Sequence, residues 1–543
     1  MKIALAQLNY HIGNFEANTN KIIGCIREAR EHGADLVVFG ELSVCGYPPR
    51  DFLEFDDFLK RCEKSVLEIA KHCTDIAAIV GAPSINPKVE GKNLFNSAYF
   101  LSDGSITSVH HKALLPTYDV FDEYRYFEPA TSFYCVTYKK TKIALTICED
   151  IWDVEDDLMY TRWPMEELIK EAPDLMINIA ASPFSHKHPA KRREVMKKNV
   201  ACYQLPLIYV QHVGAQTELI FDGGSMALSA SGKIVNELPY FSEALSIVDT
   251  ENINHQEENL IDLNKYELIE QALVLGIKDY FHKMGFTKAI LGLSGGVDSA
   301  LVVTLAVKAL GKENVLPVLL PSSYSSDHSV NDSIELCNNL GCHYEKISIA
   351  EGYDTMLKTL HPVFGDAPFN VAEENIQSRL RAVILMGIAN KHGYILLNTT
   401  NKSEAAVGYG TLYGDMCGGI AVIGDLYKTE VYELCHYINR NGNIIPENVL
   451  TKAPSAELRP NQKDSDSLPE YDILDALLYQ YIELRQGPQE LLAQGFDAAL
   501  VQRVLKMVNS NEWKRAQAPP ILRVSYKAFG SGRRLPIVGK YLG

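Results

Sequence analysis

The stretch TKAILGLSGGVDSALVVTLAVKAL, residues 287–310, admits few folds. Its unbroken apolar run reads as a strand, the glycine pair as a turn, and the apolar residues that follow at helical spacing as a helix packed back onto a sheet. Strand, tight turn and helix in that order belong to an α/β sheet, whose ligands bind beyond the carboxyl ends of the strands, where SGGVDS falls. Backbone N–H groups at a helix N-terminus attract anions, and Gly295 and Gly296 carry no Cβ to hold a phosphate off. No lysine follows the glycines, so this is not the Walker loop, in which Lys reaches the outer phosphates; Val297, Asp298 and Ser299 stand there instead. Some other phosphate chemistry is implied.

At 543 residues the chain exceeds one ordinary core, so two or more domains are expected. Residues 1–250 repeat the alternation: KIALAQL, ADLVVFGE, DIAAIVGAP, KIALTIC, DLMINIAAS and LPLIYVQHV read as strands. Between the first two, NFEANTNKIIGCIREAREHG reads as a helix with Asn14 as N-cap and Gly33 as its stop. Residues 251–264 are polar, acidic and without periodicity, which suits a linker; a second α/β domain then spans 265–543, with NVLPVLLPSS, HYEKISI and YILLNTT as further strands.

Lys and Arg number 52 against 68 Asp and Glu, a net charge of -16, which argues against nucleic acid or a membrane surface as partner. An anionic ligand must therefore meet local positive charge. From Trp513 to Gly543 there are seven Lys or Arg and no acid, and Lys514, Arg515, Arg533 and Arg534 are candidates to meet phosphates; ion pairing on the surface is the competing use. Eleven scattered cysteines without C-x-x-C pairs fit reduced thiols in a cytoplasmic protein, and no apolar run is long enough for a membrane span. The polar turn after KIALAQL argues against a signal peptide.

Five blocks in order, GLSGGVDSA, LPSSYSS, ENIQSRLRAVILMGIAN, NTTNKSEAAVGYGTLYGDMCGG and SAELRPNQKDSDSLPEYDILD, resemble the NAD synthetase family of N-type ATP pyrophosphatases. The resemblance implies a doubly wound parallel sheet of the ATP pyrophosphatase type and a reaction in which ATP adenylates the carboxylate of deamido-NAD and ammonia displaces AMP. A carboxylate is a poor electrophile, so activation as a mixed anhydride is needed, with donors and a metal to carry the charge of departing pyrophosphate. It implies ATP contacts at Gly292, Leu293, Ser294, Gly295, Gly296, Val297, Asp298, Ser299 and Thr399. It implies deamido-NAD contacts at Asn375, Arg379, Glu404 and Lys514, and Mg²⁺ held by Asp298 and Glu404 alongside ATP, with no tightly bound organic cofactor. Helix capping is the other use open to Asp298.

In the first half, Cys148 of KIALTICEDIWD ends an apolar strand, with Glu149 and Asp150 after it. Acids so close raise a thiol's pKa, so a cation is needed if thiolate is to form, although a buried cysteine is by default a small apolar side chain. Glu41 of VVFGELSVCGYPPRD and Lys112 of HHKALLPTYDVFDEYRYF, each at a strand end, complete a Glu, Lys, Cys order that resembles the glutaminase branch of the nitrilase superfamily over 1–250. The resemblance implies an αββα sandwich in which Cys148 is the nucleophile, Glu41 the base and Lys112 the oxyanion cation. It implies a glutamine pocket of Tyr47, Tyr118, Glu149, Ser182 and His188, with Glu123 orienting the base or Lys112.

Together the resemblances imply a ligase that draws nitrogen from glutamine to amidate deamido-NAD, with glutamine, ATP and deamido-NAD as its small-molecule partners and a homo-oligomer formed through the second half. The alternative is an amidase carrying an inert nucleotide-binding module.

Overall fold

Alternate residues of the first strand, β1 (Lys2–Gln7), face different cores: Ile3 and Leu5 join one cluster of buried apolar side chains, Ala4 and Ala6 another. A strand's period of two produces this, and it places β1 inside a layered unit with apolar packing on both faces. The computed structural model describes residues 1–88, 90–152, 154, 159–460 and 462–541. The chain divides into two units, Met1–Leu268 and Ile269–Gly543.

In the first unit β1 is followed by β2 (Leu36–Val38), β3 (Ala77–Ile85), β4 (Leu94–Ser102), β5 (Ser105–His111), β6 (Val136–Tyr138), β7 (Thr141–Ile147), β8 (Leu175–Ala180) and β9 (Leu207–Gln211). A hairpin of β10 (Val213–Gln216) and β11 (Leu219–Asp222) precedes β12 (Met226–Leu228), β13 (Ile234–Glu237) and β14 (Ala244–Asp249). Two six-stranded sheets result, in the orders β14-β1-β2-β3-β4-β5 and β13-β12-β9-β8-β7-β6. Helices α1 (Phe15–Glu31) and α2 (Asp56–Ala70) bury Ile22, Ile26, Val66 and Ile69 with Ala4, Val37 and Ala78 of the first sheet. Helices α3 (Pro164–Leu168) and α4 (His188–Tyr203) bury Met165, Leu168, Val195 and Met196 with the second. The layering is the expected αββα sandwich. Asn14 caps α1, its side chain accepting from Ala17 N, and Gly33 follows the last turn at φ +76°. The polar stretch after β14 lies along this unit: Ile253 is buried, Asn259 N donates to Ile234 O, and Ile261 N donates to Glu237.

In the second unit come α5 (Lys265–Met284), β15 (Lys288–Gly292), α6 (Val297–Leu310), β16 (Val315–Leu319), α7 (Asp327–Leu340), β17 (Glu345–Lys346), α8 (Ala350–Phe364) and α9 (Val371–His392). They are followed by β18 (Tyr394–Asn398), α10 (Lys402–Val407), β19 (Ile420–Ala421) and α11 (Lys428–Asn439). Every pairing is parallel and the order is β17-β16-β15-β18-β19, so the chain winds outward from β15 on one side and resumes at β18 on the other. The glycine loop opens at that switch point, where a doubly wound sheet leaves its crevice. HYEKISI yields only the two-residue β17, because at the sheet edge it pairs on one side and its Glu345 and Lys346 are exposed.

Candidate functional sites

In the first unit the predicted groups stand just past strand ends: Glu41 three residues beyond β2, Lys112 next after β5, Cys148 next after β7 and Ser182 two beyond β8. Lys112 Nζ lies 2.7 Å from Glu41 Oε1 and 2.8 Å from Glu123 Oε1, and neither Lys112 nor Glu41 has any exposed side-chain surface. Burial opposes the charge on Lys112, but Glu123 and Glu41 outweigh it and hold the ammonium well above its ordinary range. Burial pushes the Glu41 carboxyl up to about 7, against the pull of Lys112. The Cys148 thiol is driven well up by burial and then by Glu41, with Lys112 pulling it back. A protonated thiol beside an acid that titrates near neutrality is a nucleophile paired with its base. Cys148 itself sits at φ +43°, a left-handed conformation that costs a non-glycine residue about 1 kcal/mol or more and persists only where its surroundings enforce it.

Asp150 supplies much of that enforcement. Its Oδ1 accepts from Ala113 N and Leu114 N, both at 2.9 Å, and its Oδ2 from Ile147 N at 3.0 Å. One buried carboxylate thus ties the segment after Lys112 to the strand end before Cys148. Asp150→Ala strands three buried N–H groups, at about 1–3 kcal/mol each, so the unit should lose about 4 kcal/mol. A fall of about 10 °C in its unfolding temperature is expected, read by thermal denaturation.

The predicted pocket residues pair among themselves. Tyr118 Oη donates to Glu149 Oε1 at 2.8 Å, and Tyr160, unmarked by the sequence, donates to the same oxygen at 3.1 Å. Burial lifts Glu149 to about 7 against Lys112 and these hydroxyls, so a ligand's ammonium would find a carboxylate poised to ionise. Ser182 Oγ and His188 Nε2 lie 2.8 Å apart, and the His188 ring stacks on Trp152. Tyr47 Oη donates to Glu123 Oε1 at 2.8 Å, so it braces that acid. Asn96, also unmarked, donates to Glu41 Oε1 at 2.7 Å.

In the second unit Gly292, Leu293, Ser294, Gly296, Val297, Asp298, Ser299, Thr399 and Glu404 line one cavity. Gly295 serves packing as well as access: at φ +81° a Cβ there would come within 2.4 Å of Ser329 O on α7. Ser294 and Ser299 shape the loop, their hydroxyls 3.1 Å apart, with Ser294 Oγ accepting from Gly296 N. Asp298 makes no cap. Its Oδ1 accepts from Asn401 Nδ2 at 2.9 Å and its Oδ2 from Lys428, whose ammonium also lies 3.5 Å from Glu404 Oε1. Lys402 holds the start of α10 in register, buried between Asp425 and Glu483 at 2.9 and 2.8 Å.

Among the described residues no cluster of three or more His, Cys, Asp or Glu is arranged to hold a metal ion. Asp298 and Glu404 nonetheless fit a cation that takes its remaining ligands from phosphate oxygens. They already share one positive charge, the Lys428 ammonium, and burial, then Asp298, pushes the Glu404 carboxyl up to about 8.

Asn375, Arg379 and Lys514 converge away from the lining of this cavity. Thr411 Oγ1 donates to Asn375 Oδ1, Arg379 donates to Leu412 O, and Lys514 donates to Gly408 O and Gly410 O, so all three meet the loop 408–412. The basic C-terminus is largely spent inside its own unit: Arg515 donates to Ala405 O and Ala406 O and shares Glu512 with Arg533. Arg534 donates to Ser531 O. The cations among the described residues of the cavity wall are Arg381, Lys428 and Lys452, none chosen from the sequence. Arg381 stood two residues from Arg379 on the same helix and was the legible one; Lys428 and Lys452 carried no local signal.

The sequence model of the carbon-nitrogen hydrolase family matches residues 2–252, and that of the NAD synthase family residues 269–518. A curated glutamine-dependent NAD(+) synthetase of Synechocystis sp. is 47% identical over 546 residues, covering 98% of each chain. One from Thermotoga maritima is 38% identical over 100% of this chain and 99% of its own. Among solved structures, the glutamine-dependent NAD+ synthetase of Acinetobacter baumannii in complex with adenosine diphosphate is 38% identical with a TM-score of 0.79, covering 99% of this chain and 98% of that one.

Proposed function

The chain belongs to the glutamine-dependent NAD(+) synthetases, ligases that join a glutaminase domain to an NAD synthetase domain, and from that premise we propose how its residues divide the work. The reaction is the ATP-dependent amidation of deamido-NAD to NAD with nitrogen taken from glutamine, releasing glutamate, AMP and pyrophosphate. The observation that carries the first half of the assignment is the buried Glu41, Lys112 and Glu123 array beside the Cys148 thiol.

Glutamine places its ammonium against Glu149 and its carboxylate toward Ser182 and His188. The Cys148 proton passes to Glu41 as the sulfur attacks the carboxamide carbon, and Lys112 faces the oxygen that becomes negative. Collapse breaks the C–N bond, with Glu41 returning the proton to the departing nitrogen, so ammonia leaves and a thioester remains. Water, deprotonated by Glu41, then releases glutamate and restores the thiol. Glu41 must be ionised to begin, and its carboxyl titrates near 7, so glutamine-dependent turnover should rise with pH through about 7. Ammonium-dependent synthesis should instead follow the fraction of unprotonated ammonia, which goes on climbing well above that pH, and so should show no levelling where Glu41 is fully ionised; parallel pH profiles with the two nitrogen sources check this.

In the second unit the SGGVDS loop and the N-terminus of α6 receive the phosphates, and Thr399 meets the nucleotide. Asp298 and Glu404 would hold Mg²⁺, which when bound offsets charge on the phosphates and on departing pyrophosphate. Lys428, Arg381 and Lys452 add fixed positive charge along the same wall. Deamido-NAD runs beside the loop 408–412 that Asn375, Arg379 and Lys514 hold. The eleven cysteines are free thiols, which supports a cytoplasmic location, and assembly through the second unit is checked by sedimentation.

The decisive assay supplies deamido-NAD and ATP with either glutamine or ammonium. NAD, AMP and pyrophosphate from both nitrogen sources are expected, whereas glutamate without NAD would leave an amidase with an inert module.

A further inference from the structure

Each hydrogen-bond partner of the Glu41 carboxylate among the described residues is a donor. Oε1 accepts from Lys112 Nζ and from Asn96 Nδ2, each at 2.7 Å, and Oε2 accepts from Ala181 N at 3.0 Å. Such a cradle suits the ionised acid: it fills both lone pairs of Oε1 and leaves one open on Oε2. Yet Glu41 must carry a proton between the attack of Cys148 and the departure of ammonia. A proton carried on Oε1 requires one of that oxygen's two partners to change role.

Ala181 N belongs to the backbone and cannot. Lys112 has no acceptor atom and is shared with Glu123. Asn96 differs. It lies on β4, is 1% exposed, and its Nδ2 reaches Glu41 Oε1 and, at 3.4 Å, Glu123 Oε2. Its Oδ1 is buried with no hydrogen-bond partner among the described residues. A buried amide oxygen left without a donor is uncommon in a site so densely bonded, and half a turn about the Cβ–Cγ bond exchanges it with Nδ2.

We infer that Asn96 serves Glu41 in both protonation states: Nδ2 donates to the carboxylate at rest, and after the amide turns, Oδ1 accepts from the carboxylic acid. The balance is simple. The S–H bond of Cys148 breaks, an O–H bond forms at Glu41 Oε1, and that hydrogen rests on Asn96 Oδ1 until the departing nitrogen takes it. Asn96 touches neither substrate nor nucleophile in this role and is a positioning residue, which rests on the glutaminase assignment of the first unit.

Other titratable groups face the same pocket. They are Lys112 after β5, Glu123, Tyr47, Cys148 and Glu149 after β7, Tyr209 on β9, and His212, whose ring abuts Gly40. None of these can offer Glu41 Oε1 a donor and an acceptor in turn from one neutral group already bonded to it.

The test measures glutamate release from glutamine by the full chain across the pH range, in wild type, Asn96→Leu, Asn96→Asp and Cys148→Ala. Asn96→Leu keeps much of the volume and removes both functions. Its acid limb should move up by about one pH unit for want of the donor. Its alkaline plateau in kcat should fall about 100-fold for want of the acceptor, while the KM for glutamine stays within about threefold. Asn96→Asp accepts but, once ionised, cannot donate, so its limb should move up while its alkaline plateau stays within about tenfold of wild type; it carries the test if Asn96→Leu does not fold. A plateau retained in Asn96→Leu would reduce Asn96 to a fixed donor and overturn the inference, as would an unmoved limb in either variant. Glutamate released by wild type but not by Cys148→Ala keeps the glutaminase assignment standing whatever the Asn96 variants do.

Discussion

Cys148→Ala is expected to abolish NAD formation from glutamine, by a factor of about 10³ or more, and to leave formation from ammonium at the wild-type rate. Only the sulfur is lost. Alanine at φ +43° is strained no more than cysteine there, Asp150 still holds its three amides, and the Glu41 to Lys112 pair does not depend on the thiol. Without Sγ the carboxamide meets no nucleophile, and Glu41 has no proton to accept. Adding Glu41→Gln to the same chain should cost little more, because groups that act as one unit do not lose activity additively. NAD and glutamate are followed separately with each nitrogen source. Glutamine-dependent turnover surviving in Cys148→Ala would remove Cys148 from the chemistry, and a loss with ammonium as well would show damage beyond nitrogen release.

Asp298→Asn should depress NAD formation from both nitrogen sources by the same factor, about 100-fold, equivalent to about 3 kcal/mol of lost electrostatic support. The change is isosteric, and Asp298 makes no helix cap, so the fold has little reason to fail. What changes is charge. Asn401 Nδ2 and Lys428 lose the carboxylate they share, Glu404 is left as the one acid within ion-pair distance of Lys428 among the described residues, and a divalent cation arriving with ATP meets one charged ligand fewer. Raised Mg²⁺ should recover part of the loss by mass action, with the midpoint of the Mg²⁺ titration moved upward. Full ammonium-dependent rates at ordinary Mg²⁺ and ATP would show that Asp298 does not help to hold the ion.

Much of both units was legible because burial leaves a local imprint. β1, β8, β9, β15, β16 and β18 each fall within a stretch read as a strand, and β3 and β7 overrun theirs by two residues and one, since a strand covered on both faces needs consecutive apolar residues. Asn14 and Gly33 mark the ends of α1 for equally local reasons, an oxygen for a free amide and a residue at ease with positive φ. Asn375 and Arg379 were legible as neighbours on one helix, but the spacing could not say that they turn to the loop 408–412, because a helix's rotation about its own axis is settled by what packs against it.

The sequence by itself determined the class of each unit and, through the motifs that carry its family resemblances, the candidates Glu41, Lys112, Cys148, Asp298 and Glu404, because a motif is a matter of residue type at short separations. Only the tertiary structure decided that Lys428 stands between Asp298 and Glu404, that Tyr160 joins Tyr118 on Glu149, and that Asn96 shares Glu41 with Lys112. Asn96 and Glu41 are 55 residues apart, and Lys428 and Asp298 are 130 apart. Nothing local distinguishes an asparagine or lysine at such a separation from one that faces water. A buried charge acquires its meaning from the groups that close around it, and those are chosen by the packing of sheets and helices.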